Sequence, residues 1–342
     1  MELVHIRPDA GADDPHLSRA AERLRAGGLV AFPTETVYGL GAHALDEAAV
    51  ARIYAAKGRP AHNPVIVHVA DAQAARSVVA EWTPHAELLA RCFWPGPLTL
   101  VLPKGACVPA SVVAGLDKVG VRVPAHPLSL ALLRAARVPV AAPSANRSNE
   151  VSPTTAMHVV ESLGSADVLV LDGGACSVGI ESTVIDVSGP GPVLLRPGGV
   201  ARDELERVLG VPVARAREVA GDTPRAAPGM LGKHYATRAS LVLVPHGDAG
   251  ALRARLSKAS AAQPPAALVF EASARELGEA ARILVMPLDP RLYARRLYAA
   301  LRELDARAPA LIVVESPPPG VEWDALRDRL SRAAASADDS AR

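Results

Sequence analysis

Gly28-Leu29-Val30-Ala31-Phe32-Pro33-Thr34-Glu35-Thr36-Val37-Tyr38-Gly39-Leu40-Gly41, followed one helix later by Lys57-Gly58-Arg59-Pro60, decides how this chain is read. The apolar run at 28–32 has the makings of a buried strand, and it passes directly into hydroxyls, a carboxylate and two glycines. Two cations then stand together just before a proline that forces the chain out of helix. Such an arrangement suits a small polar substrate held beside a polyphosphate.

Working outward, the pattern alternates. Pro15–Arg25 reads as a helix closed by Gly27-Gly28, and Asp46–Lys57 as a second with Val50, Ile53 and Tyr54 on one face. Residues 65–69, 98–102, 119–123, 138–142, 168–171 and 182–187 read as strands, with helices at 86–93, 128–136 and 154–163. That rhythm predicts an α/β fold. It loosens between Val211 and Thr237 and then resumes, with strands at 241–244, 267–270, 283–286 and 311–314 and a clear helix at 292–304. A smaller doubly wound domain is expected there. The predicted division is a first domain at 15–207, a linker at 208–239 and a second domain at 240–332.

Composition narrows the classes. A length of 342 residues suggests two domains, and a net charge of +1 gives no global field for nucleic acid or an anionic membrane. Aromatics are only 3% of the residues, few for a surface that stacks bases, which weighs against an RNA-binding module. Cys92, Cys107 and Cys176 form no C-x-x-C pair, so neither a zinc knuckle nor a disulfide framework is expected. The opening residues lack the basic and apolar regions of a signal peptide, and no apolar run approaches the roughly 20 residues of a membrane span. A soluble cytoplasmic protein without membrane contact is expected.

No P-loop is present. Gly39-Leu40-Gly41-Ala42-His43-Ala44 fits G-x-G-x-x-A, but Pro33–Tyr38 separates the strand from the glycines where a dinucleotide fingerprint needs a tight turn. Lys57 and Arg59 at a helix end could merely complement its dipole. Ser144-Ala145-Asn146, after an apolar strand, could be an ordinary turn or a set of neutral donors and acceptors at a strand's carboxyl end. Arg122, in the middle of the apolar strand Val121-Arg122-Val123, and Arg196, in Leu195-Arg196-Pro197, are costly unless an acceptor meets them. Two such arginines favour anion binding over structural ion pairs.

Together these segments resemble the threonylcarbamoyl-AMP synthases, the Sua/YrdC/YciO family, in its longer two-domain form. The matching set is Lys57-Gly58-Arg59-Pro60 with Asn63-Pro64, Ser144-Ala145-Asn146, Ser152-Pro153-Thr154, Gly179-Ile180-Glu181-Ser182-Thr183 and Arg196-Pro197-Gly198. The resemblance implies a twisted α/β catalytic domain with a smaller Rossmann-like domain behind it. It implies that Thr36, His68, Arg122 and Ser182 hold L-threonine. It implies that Lys57, Arg59, Asn63, Lys118, Ala142, Ser144, Asn146, Ser152, Arg196 and Tyr235 serve ATP, with Lys57, Arg59, Ser144 and Asn146 central to catalysis. The implied reaction makes threonylcarbamoyl-AMP and pyrophosphate from L-threonine, bicarbonate or CO2, and ATP carrying its Mg2+, with no metal cage in the protein. A threonylcarbamoyl transferase complex acting on tRNA would follow, with at most a weak tRNA contact here. Three positions depart from the family pattern: Lys118 for a hydroxyl residue, Asn149 for glycine and Thr237 for proline. Met230, Leu231 and Tyr235 suggest that the linker packs across the catalytic opening rather than tethering two domains loosely.

Overall fold

The computed structural model describes residues 1–7, 10–11, 14–216, 234–257, 263–278 and 282–338. Most of the linker, with Met230 and Leu231, lies outside them. The chain divides into two compact units, one of Met1–Ser148 with Ser152–Met230, the other of Asn149–Val151 with Leu231–Arg342.

The first unit is built on strands β1 (Glu2–His5), β2 (Leu29–Phe32), β3 (Gly39–His43), β4 (Val67–His68), β5 (Leu98–Pro103), β6 (Lys118–Arg122), β7 (Val140–Ala141), β8 (Val168–Asp172), β9 (Thr183–Asp186), β10 (Val193–Arg196) and β11 (Ala214–Arg215). They hydrogen-bond in the order β1-β8-β2-β3-β7-β4-β6-β5-β9-β10-β11. Parallel pairs such as β2 with β8 and β4 with β6 alternate with antiparallel pairs such as β2 with β3 and β5 with β6. The helices are α1 (Pro15–Arg25), α2 (Glu47–Lys57), α3 (Ala72–Arg76), α4 (Pro84–Phe93), α5 (Pro127–Ala136), α6 (Ala156–Leu163) and α7 (Arg202–Leu209). Two apolar clusters fill the unit. One is centred on Leu40, Ile53, Val67, Leu100 and Val121, the other on Leu17, Leu24, Phe32, Leu132 and Leu171.

The helix starts share a device. Asp14, Thr83 and His126 cap the free N–H groups of the first turn, and a proline follows each at the first helical position. The helices expected at 86–93 and 128–136 begin slightly earlier, at Pro84 and Pro127; at N1 the missing N–H has no intrahelical partner to lose. The strand expected at 65–69 shrinks to Val67–His68, because Val65 N–H donates instead to the Val112 carbonyl. The helix expected from Thr154 begins at Ala156, capped by Thr155. Gly39 and Gly41 lie inside β3, where a Cβ on Gly41 would come within 2.7 Å of Phe32 and 2.8 Å of Val140. They therefore serve strand packing, and the G-x-G-x-x-A pattern has no strand-to-helix turn to act in.

The second unit carries β12 (Ser240–Val244), β13 (Ala266–Phe270), β14 (Arg282–Met286) and β15 (Leu311–Glu315), all parallel, in the order β12-β15-β13-β14. Its helices are α8 (Ala249–Leu256), α9 (Glu271–Leu277), α10 (Pro290–Ala306) and α11 (Asp324–Asp338). β13 is buried at every residue, as a central parallel strand covered on both faces must be. Asn149 takes a φ of 69°, the left-handed region that asparagine tolerates better than most residues, so the loop survives the loss of the family's glycine. No helix among the described residues is long and apolar enough to cross a membrane.

Candidate active site

The first unit gathers most of the candidate residues at strand ends. His68 and Arg122 are register partners at the carboxyl ends of the parallel strands β4 and β6. Thr36 comes from the β2–β3 connection, and its hydroxyl accepts from Arg122 at 3.0 Å. Arg122 stands at the end of β6 rather than mid-strand, and its environment corrects one expectation. Its guanidinium already has a carboxylate, Glu35, at 2.5 Å, and donates further to the Gly96 carbonyl at 3.1 Å. Glu35 also accepts the Ala125 N–H at 2.9 Å. Both members of the pair are buried, so either one removed would leave the other charge without its partner.

Arg59 is different. It is buried, yet its guanidinium donates to the carbonyls of Asn63 at 3.0 Å and Pro64 at 2.7 Å, and it forms no ion pair among the described residues. Burial, opposed by Tyr54 and reinforced by the nearby Arg196, pulls its pKa down to about 10. A guanidinium in that state has its positive charge balanced only by dipoles. Lys57, which ends α2 just before the left-handed Gly58, is likewise buried, and its ammonium donates to the carbonyls of Ser144 and Asn146. The Lys57 carbonyl in turn accepts the Ser148 N–H at 2.8 Å. The end of α2 and the loop after β7 are thus fixed to each other. The two cations do not project at a corner, as Pro60 suggested; they turn inward.

Ser144 pairs with Gly39 in an isolated bridge, and Ala142 N–H donates to the Ile66 carbonyl at 2.9 Å. Ser182 shares a hydrogen bond with Thr99 at 2.8 Å, and Arg196 at the end of β10 donates to the Ser182 carbonyl at 2.9 Å and hydroxyl at 3.2 Å. Ser152 donates to Glu181 at 2.6 Å. Gly198 lets this corner close: a Cβ there would sit 2.3 Å from Thr183 N and 2.5 Å from the Glu181 carbonyl. Among the described residues, the buried atoms Asn63 Nδ2 and His68 Nδ1 find no hydrogen-bond partner, as befits groups held for a ligand. Burial, then the Arg122 charge, push the His68 pKa down to about 3, so the ring is neutral near pH 7.

Lys118 is not part of this gathering: it lies at the opposite end of β6 from Arg122 and pairs with Asp186 at 2.8 Å. Tyr235 belongs to the second unit, where its ring stacks on Tyr298 at 5.6 Å and lies under the Arg329 guanidinium at 5.7 Å. Sequence reasoning assigned no role to Glu35 and Glu181, although both lie inside motifs it quoted. A carboxylate flanked by hydroxyls, as in Thr34-Glu35-Thr36, was the available signal.

The Sua5/YciO/YrdC family, described as telomere recombination, matches residues 22–198, more than half of the chain. This chain is a member of that family. The C-terminal domain of threonylcarbamoyl-AMP synthase matches residues 200–335. Among curated proteins, the threonylcarbamoyl-AMP synthase of Pyrococcus abyssi is 43% identical over 318 residues, covering 90% of this chain and 89% of the relative. That of Bacillus subtilis is 44% identical over 243 residues, 70% of each. The crystal structure of Pyrococcus abyssi Sua5 complexed with L-threonine superposes with a TM-score of 0.90 at 39% identity, covering 98% of both chains. The two-domain form and the α/β class expected from the sequence are those of this family member.

Proposed function

We propose that this chain synthesises threonylcarbamoyl-AMP from L-threonine, bicarbonate or CO2, and ATP, releasing pyrophosphate. The observation that carries the reading is Arg59, a buried guanidinium with no ion pair among the described residues, beside Arg196 and two residues from Lys57, in a member of a family whose curated relatives bear that name.

In this reading Arg122 and Thr36 take the threonine carboxylate, with the neutral His68 and the Ser182 hydroxyl meeting its remaining polar groups. Lys57, Arg59, Asn63, Ala142, Ser144, Asn146, Ser152 and Arg196 form the ATP set. Lys118 joins it only by leaving Asp186, and Tyr235 joins it on the resemblance alone. The threonine amine takes up CO2, giving N-carboxythreonine. A carboxylate oxygen of that group then forms a bond to the α-phosphorus, the bond from α-phosphorus to the bridging oxygen breaks, and pyrophosphate leaves with the electron pair. This is a nucleotidyl transfer with no covalent enzyme intermediate. The protein acts by positioning the two substrates and by placing fixed positive charge where the leaving pyrophosphate gathers negative charge.

No group of three or more His, Cys, Asp or Glu among the described residues is placed to hold a metal ion. In this reading magnesium arrives with the nucleotide, as the MgATP substrate. The labile product suits a cytoplasmic enzyme that hands it to a transferase complex modifying tRNA adenosine next to the anticodon, with a tRNA contact that is weak at most. The test is pyrophosphate release from ATP, measured with L-threonine and bicarbonate each omitted in turn. Release that persists without threonine would overturn the reading.

A further inference from the structure

In the second unit the carboxyl ends of all four parallel strands open on one cavity of about 830 Å³. His246 follows β12, Phe270 ends β13, Met286 ends β14 and Glu315 ends β15, and all four line it. No step of the synthesis proposed above uses this cavity, and every lining residue belongs to the second unit. Ligands of open parallel sheets collect at this end of the strands, and the volume falls within the range of small-molecule sites.

The lining is divided by chemistry. At the floor, Glu315 has only 1% of its side chain exposed; its two oxygens accept the N–H groups of Gly247 and Phe270, each at 2.9 Å. His246 Nδ1 lies 3.2 Å from the same carboxylate, which fixes the ring edge-on to Phe270 at 5.1 Å. A half-exposed imidazole oriented by a buried acid is thereby presented to the cavity. On one wall Arg296, from α10, donates to the Val285 carbonyl at 3.0 Å and makes no ion pair among the described residues. The rim acid Glu271 is already paired with Arg275. At the mouth, Leu288 and Leu292 are 63% and 56% exposed, beside the buried Met286.

We propose that this cavity is a second ligand site, for a nucleoside monophosphate. The phosphate meets Arg296, the ribose hydroxyls meet His246 on its Glu315 support, and the base covers Met286, Leu288 and Leu292. Other ligand classes fit one wall only. An acyl chain would leave the His246–Glu315 floor unmet, and inorganic phosphate would leave the leucines in water.

Hydrogen–deuterium exchange on the full chain tests this, with AMP as the probe and peptides spanning 266–277 and 282–296 as the readout. AMP slows exchange in both, and Arg296→Gln raises the half-saturating concentration by about tenfold or more, the loss expected for a charge-assisted phosphate contact. Leu292→Ser, a neutral surface change that adds no charge beside Arg296, weakens the same protection. Three results would overturn the proposal: no protection at millimolar AMP, equal protection by inorganic phosphate or by adenosine, or protection by AMP that Arg296→Gln leaves unchanged. Because the first unit supplies separate peptides, failure there and failure here are read independently.

Discussion

The two units bury charge in different ways. In the first, Lys57, Arg59, Arg122 and Arg196 are all buried around strand ends, and the acids among them are outnumbered. In the second, the buried charged side chains among the described residues are Glu315 and Arg329, both built into the packing: Glu315 holds two backbone amides, while Arg329 donates to the Ala325 carbonyl at 3.3 Å and lies over Tyr235. A core burying more positive than negative charge is stable only if dipoles compensate, and it is poised for an anion. The sheet types follow the same division. The mixed sheet of the first unit brings loops from many strands to one place, whereas the four parallel strands of the second open on a single crevice.

The sharpest way to break this contrast is to remove a cation from each unit. Lys57→Ala or Arg59→Ala should slow pyrophosphate release by roughly 30- to several thousandfold, from about 2–5 kcal/mol of lost interaction with a desolvated charge. Arg329→Ala should instead lower the melting temperature and leave release per folded molecule intact. Near-normal release by Arg59→Ala at saturating ATP would remove that residue from the chemistry.

The next effect concerns the threonine end. Arg122→Lys keeps the charge beside Glu35 but loses the planar fork, so the Kd for L-threonine should rise about tenfold or more while ATP binding holds. A titration that overlays the parent's would make the Arg122–Glu35 pair a structural element only.

Backbone closeness gives the third test. Gly198→Ala should destabilise the first unit by about 1–3 kcal/mol, because the added Cβ meets backbone rather than a movable side chain. Gly189→Ala, where a Cβ would meet nothing within 4 Å, should be silent in the same thermal melt.

A fourth test uses pH. The folded-state pKa of His68 is depressed to about 3. Above the unfolded value of about 6.5 neither state binds the proton; as pH falls below it, only the unfolded chain does. Stability should therefore be full above that value and decline toward pH 3 by up to about 1.4 kcal/mol per pH unit, with His68→Gln flattening the slope. The smallest effect belongs to Lys118→Ala. Its half-exposed pair with Asp186 should change stability by less than about 1 kcal/mol, and the KM for ATP by no more than about fivefold.

Much of this was legible before any fold was seen. Alternation of apolar runs gave the α/β class, and the quoted motifs named most of the polar residues that the first unit gathers near its strand ends, because glycines, prolines and hydroxyls mark turns there. What stayed hidden depended on contacts distant in sequence. Glu35 follows β2 and Arg122 ends β6 in the same sheet, and nothing local says that a glutamate among threonines will face an arginine so far along the chain. Lys57 and Arg59 showed their charge but not their direction, since the carbonyls that turn them inward belong to Ser144, Asn146, Asn63 and Pro64.

The dipole-balanced guanidinium of Arg59 also governs how the protein should behave outside any reaction. Folding must place that charge among carbonyls before a nucleotide arrives, so the empty protein sits below its attainable stability, and any multivalent anion of the right size can relieve it. Triphosphate or pyrophosphate alone, with neither threonine nor nucleoside, should raise the melting temperature of the chain. The same salts should do markedly less for Arg59→Ala, which keeps Lys57 and Arg196 but has lost this charge. Buffer choice thus becomes a variable in purifying and storing this protein, traceable to one side chain.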